Sequence, residues 1–176
     1  MAAVHFYLTC NPNVYDRLAA EIRTTFSSGA EICNGHKLKS CVIAPSSLGT
    51  LWRQQDTSTP SNANKPFVVD GHPEDSPQLR TMRRAHAPFA VGDRGCAGKS
   101  MAYLEISLML AKTLWYFDFE RASGVAGQVG CGGYANFKGE QGRQRDDEFQ
   151  LFDMITASHD GPLLTFKPRG DLWKDL

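Results

Sequence analysis

A single cysteine in a glycine-rich loop, directly before a long apolar helix, constrains this chain more than any other feature. Residues 89–98 read FAVGDRGCAG, and an apolar stretch begins at Lys99, just after Cys96. A helix that begins there aims free backbone N–H groups and the positive end of its dipole at the sulfur, which stabilises the thiolate. Because a stabilised thiolate is a good metal ligand, we predict that the chemistry of this chain centres on Cys96.

The residues around the cysteine favour a site for a flat, bulky cofactor. Gly92, Gly95 and Gly98 leave out side chains at three places near the sulfur, so the backbone can turn sharply and approach a ligand closely. Arg94 adds a permanent cation whose planar fork suits a carboxylate better than a lysine would. Phe89 supplies an apolar wall that keeps water from the sulfur, and such burial tunes a thiolate-bound metal.

Five residues of this loop match the pattern FxxGxRxCxG, which is the haem-binding signature of the cytochrome P450 monooxygenases. A chance match of five fixed residue types is expected on the order of once in a million starting positions. The loop therefore resembles that of this family, and the resemblance is carried by Phe89, Gly92, Arg94, Cys96 and Gly98.

The resemblance implies a role for each of these residues. Cys96 would be the axial ligand of the iron in haem b, and its thiolate would push electron density toward the iron. Arg94 would pair with a haem propionate, Phe89 would pack beneath the ring, and Gly92 and Gly98 would shape the loop around the cofactor. The family inserts one oxygen atom from O2 into a small apolar organic substrate and takes electrons from an NADPH-dependent reductase. The chain resembles fungal members of the family that oxidise small apolar natural products.

The patterning of the chain predicts a mainly α fold with short β hairpins, as in the C-terminal part of the P450 fold. We expect residues 1–176 to form a single, incomplete C-terminal region. A first helix covers residues 2–9, and a second begins at Asn11-Pro12, a capping residue followed by proline. A third helix, apolar on most sides and so expected to be buried, covers about 99–119. A hairpin covers about 149–167, with its turn at 160–162.

Two segments of the family pattern are missing from this chain. After residues 37–41 the family continues into a helix carrying an ExxR motif, whereas VIAPSSLGTLWRQ follows here, with a short extended piece around Pro45. A polar loop is expected at 54–65 and a brief strand at 66–70. Residues 72–84 then lead to the cysteine loop without the family's Pro-Glu-Arg segment. A second interpretation therefore stays open, in which the chain is a truncated, non-catalytic remnant with at most weak haem binding.

Composition limits the partners that can be expected. The formal net charge is zero, and no lysine- or arginine-rich run extends beyond Arg83-Arg84, which gives no electrostatic basis for binding nucleic acid. The five cysteines form no C-x-x-C pair, and the N-terminus has no secretory pattern, so we expect an intracellular protein. The family usually resides at the endoplasmic reticulum membrane. Because no membrane anchor is recognisable here, the chain expressed alone is expected to be cytoplasmic.

Overall fold

A computed structural model describes residues 1–33, 35–38, 89, 92–132, 148–150 and 158–175. In chain order, the main elements are helices α1 (Ala2–Cys10), α2 (Pro12–Thr25), α3 (Gly35–Leu38) and α4 (Lys99–Tyr116), then strands β1 (Phe117–Arg121) and β2 (Leu164–Pro168). Short 3-10 turns lie at Gly29–Glu31, Gly124–Gln128 and Leu172–Asp175. The mainly helical fold with a small antiparallel sheet confirms the predicted fold class.

The chain divides into two compact units, and the first contains Met1–Arg17 and Tyr116–Leu176. In this unit β1 pairs with β2 in antiparallel register, with Phe119 opposite Phe166. The ring of Phe6 lies 5.3 Å from that of Phe149, and the backbone N–H of Phe149 donates to the hydroxyl of Tyr7. These contacts build an aromatic core around α1, whose buried residues include Val4, Phe6, Tyr7 and Leu8.

The second unit contains residues Leu18–Trp115, which include the later part of α2, α3 and most of α4. At the end of α2, Ile22 and, just beyond the helix, Phe26 are almost fully buried. The Nε of Arg23 donates to the carbonyl oxygen of Leu114 at 3.0 Å, which joins α2 to the last turn of α4. The buried side chains of Leu110 and Leu114, together with this hydrogen bond, hold the C-terminal part of α4 in place.

The junction between α1 and α2 lies where the sequence predicts it, with one difference in the capping. The backbone carbonyl of Asn11 accepts hydrogen bonds from the N–H groups of Val14 and Tyr15, so α2 begins at Pro12 as expected. The Asn11 side chain, however, points backwards and donates to the carbonyl oxygen of Tyr7 at 2.8 Å. It therefore caps the end of α1 and does not cap the start of α2.

One prediction about the C-terminal part needs correction. The third predicted helix ends at Tyr116 instead of about residue 119, because the FDFER segment that follows is β1. The strand Leu164–Pro168 pairs with β1. The predicted hairpin paired this strand with the run from 149, of which residues 151–157 lie outside the described ranges, and within the described part Phe149 forms an isolated antiparallel bridge with Cys131.

Several predicted segments lie outside the described residues. These are the extended piece around Pro45, the loop at 54–65, the strand at 66–70 and the segment at 72–84. Among the residues that are described, no helix combines the length and the apolar character needed to cross a bilayer.

Candidate functional site

The cysteine loop makes a sharp turn that begins at Gly92. Gly92 has φ +89°, in the left-handed region that residues with a side chain rarely adopt. The N–H of Gly95 donates to the Gly92 carbonyl oxygen at 2.9 Å, which closes the turn. A Cβ added to Gly92 would meet nothing within 4 Å, so the backbone angle, and not crowding, requires glycine here.

Cys96 lies three residues before the first residue of α4, with its side chain exposed. Its carbonyl oxygen accepts from the N–H of Lys99 at 3.3 Å, and that of Gly98 accepts from Ala102 at 2.9 Å, so the helix begins immediately after the cysteine. The first N–H groups of a helix have no partner within it and carry the positive end of the dipole. The thiol of Cys96 therefore lies close to the N-terminus of α4.

Gly98 lies beside the sulfur. A Cβ added at this position would lie 3.9 Å from Cys96 Sγ, which is ordinary van der Waals contact. Glycine at this position leaves out a Cβ that would touch the sulfur.

Phe89 packs against the first turns of α4. Its ring centroid lies 5.2 Å from that of Tyr103, with the planes at 66°, a geometry in which the edge of one ring meets the face of the other. Sequence reasoning identified Phe89 but not Tyr103. The available signal was an aromatic residue seven positions after Cys96, on the first part of the helix. This pair anchors the start of the cysteine loop to α4.

Charged side chains of the loop face solvent. Asp93, Arg94 and Lys99 are all exposed. Arg94 lies two residues before Cys96, so its guanidinium is accessible to a carboxylate that approaches the same side of the loop. Of the two cations, arginine offers the paired donors that a carboxylate accepts.

The first half of α4 exposes apolar side chains next to the cysteine loop. Met101 is 64% exposed and Leu104 41%, and Met109, early in the second half, is 56% exposed. The prediction that the whole helix is buried is therefore wrong for the first half. Helical patterning shows that a helix is apolar on most sides, but not whether a neighbour covers each side. An exposed thiol, a cation and uncovered apolar side chains fit a flat apolar cofactor that carries carboxylates.

All five residues predicted from the sequence lie in this one described loop: Phe89, Gly92, Arg94, Cys96 and Gly98. Within the described ranges, no group of three or more His, Cys, Asp or Glu side chains is placed to hold a metal ion.

Comparison with known proteins points to one family. The cytochrome P450 family model matches residues 71–128, which include the cysteine loop and all of α4. Over 96% of its length, the chain is 32% identical to cytochrome P450 monooxygenases of Gibberella zeae and Emericella nidulans, and 31% identical to one of Purpureocillium lilacinum. No solved structure matches the chain.

The chain spans less than two thirds of the length of these curated relatives, namely 46%, 38% and 59% of the three proteins. The match to the Gibberella zeae protein extends over 206 positions, whereas the chain has 176 residues, so at least 30 positions (206 − 176) face no residue of this chain. Relatives therefore carry internal residues that this chain lacks, as the missing ExxR and Pro-Glu-Arg segments predict.

Proposed function

The chain belongs to the cytochrome P450 family, and from this premise we propose that it is the haem-binding C-terminal portion of a haem-thiolate monooxygenase. The observation that carries the proposal is the position of Cys96. Its sulfur is exposed in a glycine turn at the N-terminus of α4, within the residues that the family model matches.

Each residue of the loop has a definite task in this proposal. Cys96 would hold the iron of haem b, and the N-terminal N–H groups of α4 would stabilise its negative charge. Arg94 would bind a propionate, and Phe89, oriented by Tyr103, would shield the sulfur from water. When bound, haem supplies the redox-active iron at which a monooxygenase activates O2.

The exposed apolar half of α4 supports the proposal independently of the cysteine. Met101 and Leu104 are partly exposed, so each forfeits part of the about 1.5 to 3 kcal/mol that full burial of such a side chain contributes, and a covering group would be stabilising. Haem is mostly apolar, with its carboxylates at one edge. It would therefore cover apolar side chains such as Met101 and Leu104 while it leaves its charged edge to Arg94.

The whole protein's activity follows from the family and is part of the proposal. The relatives are named cytochrome P450 monooxygenases, which insert one oxygen atom of O2 into a substrate. We propose a small apolar organic substrate and an NADPH-dependent reductase as the electron donor. The lysine side chain of Lys99, exposed beside the loop, would favour an acidic docking surface on such a donor.

A second candidate is a non-catalytic portion of such an enzyme with at most weak haem binding. The missing internal residues favour it, because at least 30 positions of a relative have no counterpart here. Under this candidate, the loop forms but cannot retain the cofactor in a water-free environment.

A carbon monoxide difference spectrum of the reduced, haem-reconstituted chain decides between the two. We expect the long-wavelength Soret band of a thiolate-ligated haem. In Cys96→Ala this band is expected to disappear, whereas Cys33→Ala, a matched change at another exposed cysteine, is expected to keep it. A chain that binds haem without this band, or a Cys96→Ala variant that keeps it, would exclude Cys96 as the ligand.

A further inference from the structure

A second thiol cluster lies in the first unit, away from the cysteine loop in sequence. The Nη2 of Arg121 donates to the sulfur of Cys10 at 2.9 Å, and its Nη1 donates to the sulfur of Cys131 at 3.5 Å. One guanidinium therefore donates hydrogen bonds to two cysteine sulfurs. Cys10 is exposed, whereas Cys131 is buried.

Three separate segments build this cluster. Cys10 is the last residue of α1, Arg121 is the last residue of β1, and Cys131 is joined to Phe149 by a β bridge. Since Cys10 lies 111 residues before Arg121 in the sequence, the cluster depends on the packed first unit.

The guanidinium of Arg121 is fixed from several sides. Its central carbon lies 4.6 Å from the centroid of the Phe6 ring, within cation–π range. A Cβ added at Gly127 would lie 3.3 Å from Arg121 Cγ, so the 3-10 turn packs closely against the stem of the arginine. The cation is thus held in place beside the Cys10 sulfur.

The chemistry of this pair favours the thiolate form of Cys10. A permanent cation next to a sulfur stabilises its negative charge, and charge-assisted hydrogen bonds are shorter than neutral ones. The 2.9 Å contact between Arg121 and Cys10 is short for a sulfur acceptor. The C-terminal end of α1 opposes a negative charge, but that effect is spread over the last turn, whereas the guanidinium contacts the sulfur directly.

We propose that Cys10 is a reactive thiolate, held by Arg121, that a hydroperoxide oxidises to a sulfenic acid. The sulfur attacks the terminal peroxide oxygen, an S–O bond forms, and the O–O bond breaks. The sulfur loses two electrons, the peroxide gains them, and the leaving alkoxide, or hydroxide from hydrogen peroxide, takes a proton from water. Exposure of Cys10 admits the oxidant, whereas Cys131 stays protected.

The test treats the full chain with hydrogen peroxide in the presence of dimedone, which traps sulfenic acids, and measures the adduct at each cysteine by peptide mass spectrometry. Cys33 is also exposed and serves as the internal reference. We expect Cys10 to be labelled about tenfold faster than Cys33, as the larger thiolate fraction is partly offset by lower nucleophilicity. Without dimedone, a disulfide between Cys10 and Cys131 would also support the proposal, since it forms through the same sulfenic acid.

Variants separate the role of the cation from a general change in structure. Arg121→Gln should reduce labelling of Cys10 about tenfold, and Arg121→Lys should restore part of it. Glu120→Gln removes a charge at the neighbouring position and should leave the rate unchanged. If Cys10 in the unaltered chain is labelled no faster than Cys33, the proposal is wrong, whatever the variants do. Equal rates in Arg121→Gln and the unaltered chain would also overturn it.

Discussion

The two halves of α4 are both rich in apolar residues, but their burial differs. Met101 and Leu104 in the first half face solvent, whereas Leu110, Ala111 and Leu114 in the second half have no exposed surface, although Met109, early in that half, is exposed as well. The cysteine loop directly precedes the first half, and β1 directly follows the second half. The difference shows that one helix serves two purposes: its end stabilises the fold, and its beginning presents an apolar surface beside an exposed thiol.

The buried end is held by specific hydrogen bonds as well as by apolar contact. Arg23 donates to the Leu114 carbonyl oxygen, and the backbone N–H of Arg169 donates to that of Tyr116 at 2.9 Å. These donors satisfy carbonyl groups in the last turn of α4, which have no partner within the helix. Two of the last carbonyl groups of α4 therefore have hydrogen-bond partners outside the helix.

The largest expected effect comes from a pair of leucine truncations, one in each half of α4. Leu114→Ala removes a fully buried side chain and should lower the free energy of unfolding by about 2 to 5 kcal/mol. Leu104→Ala changes a side chain that is 41% exposed and should lower it by about 0.5 kcal/mol. Urea unfolding followed by circular dichroism measures both.

This pair of variants can also contradict the contrast between the two halves. If Leu104→Ala costs as much as Leu114→Ala in the haem-free chain, then the first half of α4 is as well packed as the second. Bound haem should increase the loss of unfolding free energy in Leu104→Ala, because a cofactor that covers Leu104 would lose contacts when this side chain is truncated. Leu114→Ala should cost the same with and without haem.

The sequence predicted local features well, because each depends on residues that are close along the chain. The start of α4 at Lys99 follows from glycine punctuation and apolar periodicity, and the junction at Asn11-Pro12 follows from helix signals. The end of α4 was placed too late because Phe117 and Phe119 continue its apolar pattern. They belong to a strand only because Leu164–Pro168, far along the chain, pairs with them.

The same distinction applies to the candidate sites. Phe89, Gly92, Arg94, Cys96 and Gly98 were found because their roles are tied to a fixed local spacing. The contact between Phe89 and Tyr103, and the cluster that Arg121 forms with two cysteines, depend on folding. Sequence patterns do not show which residues make such contacts; the aromatic residue seven positions after Cys96 was a signal for Tyr103, but it did not name Phe89 as the partner.

A smaller effect, on haem affinity, is expected for Arg94, which lies in the cysteine loop before α4. Arg94→Leu should weaken haem retention by about 1 to 3 kcal/mol, because a propionate loses its charge-assisted partner. Lys99→Met removes another exposed cation close by and is the matched control, with little expected change. Haem titration into the reduced chain measures both affinities. If Arg94→Leu binds haem as tightly as the unaltered chain does, Arg94 is not part of the haem site. In both variants, the thermal stability of the haem-free chain should not change.

The smallest expected effect is on the pH dependence of stability and comes from His5. The ring of His5 packs against β1, the strand that follows α4. Its ring centroid lies 5.0 Å from that of Phe119, and its Nδ1 lies 3.2 Å from the carbonyl oxygen of Met1. Burial lowers the pKa of His5 below its usual 6.5. The hydrogen bond to Met1 raises the pKa, and the positive N-terminus lowers it further.

The sign of the pH effect follows from this lowered pKa. Between the two pKa values the unfolded chain binds more protons than the folded chain, so the free energy of unfolding decreases as the pH falls. The contribution of neutral His5 is complete above about pH 6.5 and is lost as the pH falls through the folded-state pKa. Melting temperatures at pH 8, 6 and 5 should therefore decrease less steeply in His5→Leu than in the unaltered chain. His159→Gln, a change at an exposed histidine of the same unit, should keep the original slope. An identical slope in His5→Leu would mean that His5 does not couple protonation to the stability of the aromatic core.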